Sequence, residues 1–262
     1  MIKDQKIIIN LSVYNSYKNL KKIIYRIQAI KLNIVKIIII DNNSANSIQE
    51  KLDIIKKLKA LYKINIKLVV NKKNYGFGGS QKILFSLLKK EKFDYLVNLG
   101  TSGRYNIKSV MKDVKKNIYL EKDYYLFSRF INKKSTIKYN KMRKNFNIIF
   151  IILTKIFTKT FFSDPGQSSY VLKKSILKKF KNLKISNITN GSHFPHFFNI
   201  KIFGLKLNYK EIPIIWKEGN VKSHLKPLSY VLIFLFSILK YLFTKEFFIE
   251  KKNNFVFKEY NY

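Results

Sequence analysis

The chain has 262 residues, no cysteine, and a formal net charge of +37 from 52 Lys and Arg against 15 Asp and Glu. The lack of cysteine excludes disulfides and thiolate metal sites, and a hydrophobic content of 47% argues against an intrinsically disordered chain. A charge of this sign attracts nucleic acid, anionic lipid or phosphorylated substrates, but evenly spread lysines in a chain rich in Ile, Asn, Phe and Tyr are also expected from an AT-rich genome.

Strands and helices alternate through the first part of the chain. Apolar, β-branched runs predict strands at residues 6–11, 35–40, 66–70 and 95–99, and helical patterns occupy residues 17–30, 48–62 and 80–90. Ser47 is placed to cap the second of these helices. The first run has no small-residue cleavage site after it, so we interpret it as a strand and not as a signal peptide. This alternation is typical of an α/β fold with a mostly parallel sheet flanked by helices.

The second half of the chain is more apolar and less regular. It predicts a strand at residues 124–130, helices at 146–157 and 171–180, and an edge strand at 207–215 that contains Pro213. Residues 228–243 form an apolar run with one charge, Lys240, which is shorter than the roughly 20 residues that span a bilayer. We expect an interfacial or re-entrant helix flanked by Lys226 and Lys245; a buried helix or a partner surface is the alternative. Residues 1–225 then form one domain, and residues 226–262 an apolar helix with a basic tail.

Polar or glycine-rich turns follow each of the first four predicted strands. Because ligands bind at the carboxyl ends of parallel strands, these turns are expected to line one crevice. An Asp at a strand end can accept a hydrogen bond from a base, glycines admit a ligand close to the backbone, and a helix N-terminus favours phosphate. The candidate residues in these turns are Ser12, Tyr14, Asn15, Asp41, Asn74, Gly76, Gly100 and Ser102.

The order of these segments resembles that of the family 2 glycosyltransferases. The segments are IIINLSVYNS, IIIIDNNSAN, NKKNYGFGGSQK and FDYLVNLGTSG. Further along, LFSRF, KMRKNF, SDPGQSSYVLKKSIL and YKEIPIIW are similar to the polyprenyl- and dolichol-phosphate sugar synthases, so the resemblance covers about residues 7–225. It implies a GT-A fold, a nucleotide-sugar donor, metal-assisted transfer with inversion, and a lipid phosphate as acceptor.

The resemblance also implies roles for individual residues. Tyr14 and Asn15 would border the nucleotide, with Asp41 on the base and Asn74 and Gly76 beside the base and ribose. Three further positions match the synthases: Arg129 and Arg143 would hold phosphate groups of donor and acceptor, and Asp164 would lie near the reacting sugar. The apolar helix at residues 146–157 falls where the synthases lay a helix on the membrane.

The chain departs from the family at the Asp-x-Asp motif, which falls on Gly100, Thr101 and Ser102. Glycine offers no ligand and a hydroxyl is a poor one for a hard cation, so we predict no metal ligand here. Mg²⁺ or Mn²⁺ remains an alternative as a cofactor, although the carboxylates that usually bind it in this family are absent. Without them, we expect Arg104, with the other arginines, to neutralise the donor diphosphate. His193, His196 and His224 are either a late metal site or ordinary surface and packing residues.

These observations predict a glycosyltransferase that moves a sugar from a nucleotide diphosphate to a lipid-linked or cell-envelope glycan acceptor, peripheral on the cytoplasmic face of a membrane. The arginine pair favours a polyprenyl phosphate, whereas Asp164 as a general base would favour a sugar hydroxyl. The alternative is a degenerate protein that binds a nucleotide sugar or a partner without turnover. A nucleic-acid partner is not expected, because the charge comes with no docking element.

Overall fold

A computed structural model describes residues 5–118, 120–132, 135–218, 227–247 and 254–262. Its first half contains β1 (Ile7–Val13), α1 (Leu20–Gln28), β2 (Ile34–Asp41), α2 (Ile48–Tyr62), β3 (Ile66–Asn71), α3 (Gly76–Leu88), β4 (Tyr95–Gly100) and α4 (Ile107–Ile118). Its second half contains β5 (Tyr124–Ser128), β6 (Thr136–Ile137), α5 (Lys141–Thr158), β7 (Tyr170–Lys173), α6 (Phe194–Phe203), β8 (Tyr209–Pro213), β9 (Trp216–Lys217), α7 (Pro227–Thr244) and β10 (Phe257–Asn261).

Eight of these strands form one mixed sheet in the order β10-β3-β2-β1-β4-β7-β5-β8. The four leading strands are parallel to one another, while β7 runs antiparallel between β4 and β5. Strand β8 forms one edge, as its proline predicts, since Pro cannot donate within a sheet. The parallel strands bury side chains on both faces, which explains their unbroken apolar runs. The predicted α/β class, with a mostly parallel sheet flanked by helices, is confirmed.

Two hydrophobic cores cover the two faces of the sheet. One face packs against α1, α2 and α4, and the other against α3, α6 and α7. Helix α2 begins as predicted at Ser47, whose hydroxyl accepts the amide of Glu50 while the Glu50 carboxylate accepts the amide of Ser47. This reciprocal pair satisfies two amides that the first turn of a helix otherwise leaves without partners.

Two predicted elements were wrong, and both errors come from burial. The segment expected to form a helix at residues 171–180 begins as β7 and continues as a 3-10 helix over Lys174–Phe180, because Val171 and Leu172 are enclosed between two neighbouring strands. The segment around His193 and His196, expected to be a loop, forms α6. Every residue of α6 except Lys201 and Phe203 is buried, so its sequence shows no polar face by which a helix could be recognised.

The end of the chain returns to the sheet. Strand β10 pairs antiparallel with β3, so the segment separated as a basic tail supplies one edge of the main sheet. Helix α7 packs beside α5 and buries Phe234 and Ile238, while Phe236 and Phe243 are exposed. Within the described residues, no helix is both long and apolar enough to span a membrane.

Candidate active site

The turns that follow β1, β2 and β4 are joined by side-chain hydrogen bonds. The amide of Asn15 donates to the hydroxyl of Ser44 at 2.8 Å, and the Asn15 side chain accepts the amide of Ala45 at 2.9 Å. The hydroxyl of Thr101 donates to the carbonyl of Ser12 at 2.7 Å. The three turns therefore meet at the carboxyl ends of their strands, which is the position predicted for the crevice, and Tyr14 is about half exposed there.

Asp41 lies beneath this crevice and has no exposed surface. Its carboxylate forms an ion pair with Lys51 at 2.8 Å and accepts both the amide and the hydroxyl of Ser44. Burial, together with the nearby Asp41 charge, raises the pKa of Tyr17 far above its usual value, which keeps this phenol neutral. In this arrangement Asp41 holds the turn in place, with one carboxylate oxygen on Ser44 and the other on Lys51.

Asn42 connects the second and third turns, a role that the sequence did not indicate. Its side-chain oxygen accepts the Asn71 side chain at 3.1 Å and the Tyr75 amide at 2.9 Å, and its nitrogen donates to Asn74 at 2.6 Å. The Asn74 oxygen also accepts the amide of Gly76 at 2.8 Å. Asn74 therefore borders the crevice, but its side-chain oxygen is already used within the protein.

The glycine turn, which the sequence analysis placed beside the base and ribose, is in close contact with the protein's own backbone. A Cβ on Gly76, whose φ is +74°, would lie 2.4 Å from the carbonyl oxygen of Asn190, and a Cβ on Gly78 would lie 2.4 Å from that of Thr189. The carbonyl of Asn190 also accepts the amides of Gly78 and Gly79, at 2.7 and 3.2 Å. The first turn of α3 is therefore capped by this carbonyl, and close approach by the chain explains the need for glycine.

Open space remains at the fourth turn. Among the described residues, a Cβ on Gly100 would meet only the Tyr105 hydroxyl, at 3.8 Å, and Ser102 is exposed. The same hydroxyl accepts the amide of Gly100 at 2.8 Å and lies 3.0 Å from the hydroxyl of Ser169. Burial raises the pKa of Tyr105 to about 12, so the phenol stays protonated at neutral pH. The backbone of this turn is thus fixed at Gly100, and the Ser102 side chain on its outer surface is exposed.

Arg129 and Asp164 form a buried ion pair next to this space. Nε and Nη2 of Arg129 donate to the two carboxylate oxygens at 2.7 and 2.8 Å, and the Arg129 amide donates to one of them at 3.0 Å. Burial alone would lower the pKa of Arg129, but the Asp164 carboxylate more than offsets this and the pKa is raised. The guanidinium keeps Nη1 for other contacts, one of which is the Tyr139 hydroxyl at 3.3 Å.

Trp216, the only tryptophan of the chain, links the fourth turn to this pair. The guanidinium carbons of Arg104 and Arg129 lie 5.8 and 5.3 Å from its ring centre, and Tyr105 stacks on it at 6.0 Å. Cations within about 6 Å of an indole face are attracted by its quadrupole. Sequence reasoning did not single out Trp216, although it ends the YKEIPIIW segment that carried part of the family resemblance.

Arg143 lies in the first turn of α5 and forms an ion pair with Glu218, which follows β9. Glu218 also accepts the amide of Asn140 at 2.9 Å, and Asn140 caps α5. Tyr139 and Asn147 connect the two predicted arginines: the Tyr139 hydroxyl contacts Arg129 and accepts the side-chain nitrogen of Asn147 at 2.9 Å, and that nitrogen also donates to the carbonyl of Arg143 at 2.8 Å. The structure therefore brings Arg129 and Arg143 to the same end of the molecule, each already paired with a carboxylate.

The histidines do not form a metal site in the described residues. His193 stacks on Tyr230 at 3.8 Å, and one of its ring nitrogens lies 2.9 Å from the carbonyl of the same residue. His196 is fully enclosed, and burial lowers its pKa to about 3. Both are packing residues, while His224 lies outside the described residues.

The described residues also do not fit a divalent cation at the position of the Asp-x-Asp motif. Gly100 has no side chain, and Thr101 uses its hydroxyl on Ser12 and on the hydroxyl of Ser16 at 2.6 Å. Across the described part of the chain, no group of three or more His, Cys, Asp and Glu side chains could hold a metal ion. Hard cations prefer carboxylate oxygens, and this turn offers none.

The family model for glycosyl transferase family 2 matches residues 9–181, which is more than half of the chain. The chain belongs to this family. The matched residues include all but the first two residues of the four leading strands, the turns that follow them, and the Arg129–Asp164 pair. No curated protein sequence matches the chain.

Solved structures confirm the GT-A glycosyltransferase fold. Glucosyl-3-phosphoglycerate synthase from Mycobacterium tuberculosis, in complex with Mn²⁺, UDP and glucosyl-3-phosphoglycerate, is 10% identical with a TM-score of 0.57, over 98% of this chain and 87% of that one. The same enzyme with Mn²⁺ and UDP-glucose gives 10% identity and 0.58, over 98% and 86%. S. aureus TarS 1-349 is 13% identical with a TM-score of 0.54, over 92% of this chain and 73% of that one.

Proposed function

We propose that the protein transfers a sugar, with inversion, from a nucleotide diphosphate to a lipid-linked phosphate. The observation that carries this proposal is the space next to Gly100, which is bordered by Arg104 and by the Arg129–Asp164 pair, with both guanidinium groups over the Trp216 ring. A donor that lies along the four turns would present its diphosphate to this space, since the turns meet at the carboxyl ends of the strands. The two mycobacterial complexes, which hold UDP or UDP-glucose, support a uridine nucleotide as the first donor to test.

Arginine supplies the positive charge that a metal ion would supply if the Asp-x-Asp carboxylates were present to bind it. A donor diphosphate carries about two negative charges, and a guanidinium binds phosphate oxygens through a planar pair of N–H groups. Arg104 follows the fourth turn directly and its side chain extends over Trp216, so it is placed to meet the diphosphate and to stabilise the charge that develops as the nucleotide leaves.

The state of Asp164 favours a phosphate as the acceptor. Its carboxylate is 1% exposed and binds Arg129 through both oxygens, so it is a poor base for a hydroxyl. A phosphate monoester at neutral pH needs no base: its anionic oxygen attacks the anomeric carbon, the bond to the nucleotide diphosphate breaks, and the electron pair leaves with the diphosphate. No proton has to be removed in this step.

An exposed apolar surface on α5 and α7 supports peripheral attachment to a membrane. We define the α5–α7 surface by Ile149, Ile152, Ile156, Phe236 and Phe243, which are between 48% and 87% exposed. Soluble proteins rarely expose adjoining large apolar residues without a partner, and a basic chain is attracted to anionic lipid. A membrane at this surface, on its cytoplasmic side, would bring a lipid phosphate to the protein that uses it.

Nucleotide release is the direct test. The full chain is incubated with a panel of UDP- and GDP-sugars, with a polyprenyl phosphate or a free sugar as acceptor, with and without EDTA. We expect release that depends on the polyprenyl phosphate and is insensitive to EDTA. Loss of release with EDTA would refute neutralisation by arginine, and a preference for the free sugar would refute the phosphate acceptor.

Two variants separate the role of Arg104 from general charge. Arg104→Ala is expected to weaken donor binding by roughly tenfold or more, as the loss of a charge-assisted phosphate contact does. Arg26→Ala, which removes the same charge from the end of α1 remote from the crevice, is the matched control. Full donor affinity in Arg104→Ala would contradict the proposal, and no turnover with any donor would favour a protein that binds the nucleotide sugar without catalysis.

A further inference from the structure

A large cavity lies at the end of the sheet opposite to the crevice. It has a volume of about 1130 Å³ and is bordered by Asp94 and Tyr95, where β4 begins, and by Lys173, where the antiparallel β7 ends. The crevice lies beyond the other end of β4, a strand of six residues, so the two sites are on the order of 20 Å apart. The cavity is therefore separate from the donor site.

The floor of the cavity is aromatic and buried. Phe85, Phe93 and Phe180 are each less than a tenth exposed, and the Phe85 and Phe180 rings meet edge to face at 4.7 Å. Leu177 lines the same wall and is half-buried. Positions 82, 85 and 86 of α3 and position 89, which caps its end, also line the cavity from one side, so this helix forms one wall. Such a floor accepts an apolar body.

The rim is cationic. Six lysines and two carboxylates line the cavity, which leaves a formal charge of +4. Two of the lysines serve the fold: Lys82 donates to the Asn190 side chain at 2.7 Å, and Lys174 lies over the Phe93 ring at 5.3 Å. The other four ammonium groups make no hydrogen bond or ion pair within the part of the chain that the structure describes; they belong to Lys89, Lys173, Lys178 and Lys181.

The carboxylates of the cavity do not neutralise this rim. Asp94 accepts the backbone amide of Lys6 at 2.8 Å, and neither Asp94 nor Glu121 forms an ion pair with a lysine of the cavity within the described residues. Unpaired ammonium groups above an apolar floor are complementary to an anion that carries its charge at one end. The lysine ammonium group acts as a point charge and can bind a phosphate in many orientations, so several lysines can bind one phosphate group.

We propose that this lysine cavity is a second ligand site that binds an amphiphilic phosphate, which is a phosphate ester with an apolar body. Its volume is far above that of inorganic phosphate and is slightly larger than the roughly 300–1,000 Å³ of most small-molecule and cofactor pockets. The ligand can be a soluble ester or a membrane lipid. A membrane lipid could reach the cavity, because the cavity lies near α7, one of the two helices of the α5–α7 surface. Lys184, next to the cavity residue Ile185, forms an ion pair with Glu246, which lies just after α7.

Calorimetric titration of the full chain tests the proposal. The probes are dihexanoylphosphatidic acid below its micelle concentration, dihexanoylphosphatidylcholine and inorganic phosphate. We expect saturable binding of the phosphatidic acid and binding roughly tenfold weaker or more for the other two, because one lacks the net negative charge and the other lacks the apolar body. Equal binding of phosphatidylcholine or of inorganic phosphate would overturn the proposal.

Matched variants locate the binding. The triple change Lys89→Glu, Lys178→Glu and Lys181→Glu is expected to weaken the phosphatidic acid by roughly tenfold or more, since each lysine near an anionic group contributes about 1 kcal/mol. The triple change Lys56→Glu, Lys57→Glu and Lys59→Glu alters the net charge equally on the exposed side of α2 and is expected to leave binding nearly unchanged. Equal loss in both would show attraction by net charge alone and would refute the site.

Two further measurements test the apolar wall of the cavity and the source of its ligand. Leu177→Ser, which makes the wall polar, is expected to weaken the phosphatidic acid and leave inorganic phosphate unchanged; an unchanged phosphatidic acid affinity would refute the use of the apolar wall. Binding to phosphatidic acid vesicles distinguishes the sources: loss in the cavity variant indicates a membrane lipid, and retained binding a soluble ester. Nucleotide release by the cavity variant should equal that of the wild type, so the two proposals can fail independently.

Discussion

Replacing Asp164 by Asn is the sharpest test of how the buried ion pair is used. The side chains of Arg129 and Asp164 are 10% and 1% exposed, and three N–H groups of Arg129 donate to the carboxylate at 2.7 to 3.0 Å. The amide has nearly the same shape but no charge, and its nitrogen cannot accept a hydrogen bond. A buried charge that loses its partner costs about 3–5 kcal/mol, so we expect Asp164→Asn to lower the free energy of unfolding by about 3 kcal/mol.

Urea denaturation of the full chain measures this loss, and a double-mutant cycle assigns it to the pair. Arg129→Met alone leaves the Asp164 carboxylate uncompensated, whereas the double variant buries no lone charge and should be less destabilised than the sum of the two single changes. Glu218→Gln is the comparison, since the Arg143–Glu218 pair is 32% and 15% exposed and should contribute at most about 1 kcal/mol.

The result bears on catalysis as well as stability. If Asp164 were a free general base, Asp164→Asn would abolish transfer to a sugar hydroxyl and leave the midpoint of denaturation close to that of the wild type. An unfolding free energy within about 1 kcal/mol of the wild type, or strictly additive single changes, would therefore refute the assignment of Asp164 as the partner that holds Arg129.

Three further predictions follow from packing, capping and burial. Burial lowers the pKa of His196 from its usual 6.5 to about 3 in the folded state, so the contribution of its neutral ring to stability is fully present above pH 6.5 and is lost as the pH falls towards 3. From pH 7 to pH 5, the free energy of unfolding of the wild type should fall by about 2 kcal/mol more than that of His196→Phe, as measured by urea denaturation. Gly78→Ala should cost about 1–3 kcal/mol or prevent folding, because its Cβ would lie 2.4 Å from the Thr189 carbonyl oxygen, whereas Gly100→Ala should melt like the wild type by circular dichroism. Ser47→Ala should cost about 1 kcal/mol in chemical denaturation, and Ser47→Asp should restore it; no loss in the alanine variant would contradict the capping box.

The repeating first half of the fold could be predicted from local pattern. Strands buried on both faces appear as unbroken apolar runs, and α2 carries its own start signal at Ser47, so each element is visible in a short window of sequence. The same method failed at residues 171–180 and at α6. There, the neighbours of a segment decide its structure: Val171 extends because two strands enclose it, and α6 is buried almost all round.

The sequence predicted where the turns of the candidate site meet, but it did not predict the contacts that their side chains make. The position of the turns follows from chain order in a parallel sheet, and they do meet. Which atoms remain free to bind a ligand depends on residues distant in sequence: Asp41 is taken by Lys51, the glycine turn by Asn190, and Asp164 by Arg129. A sequence window around each residue contains none of these partners.

By itself the sequence determined the fold class, the family and the meeting of the turns at the ends of the leading strands, because apolar periodicity and the order of turns are local properties of the chain. Only the tertiary structure decided which charged side chains are paired with one another inside the protein and which are not. It placed Arg104 and Arg129 over the ring of Trp216, returned β10 to the edge of the sheet, and gathered four lysines around one aromatic floor. The physical reason is that the partner of a charge and the burial of a side chain depend on distance in space, and folding sets that distance between residues far apart in the chain.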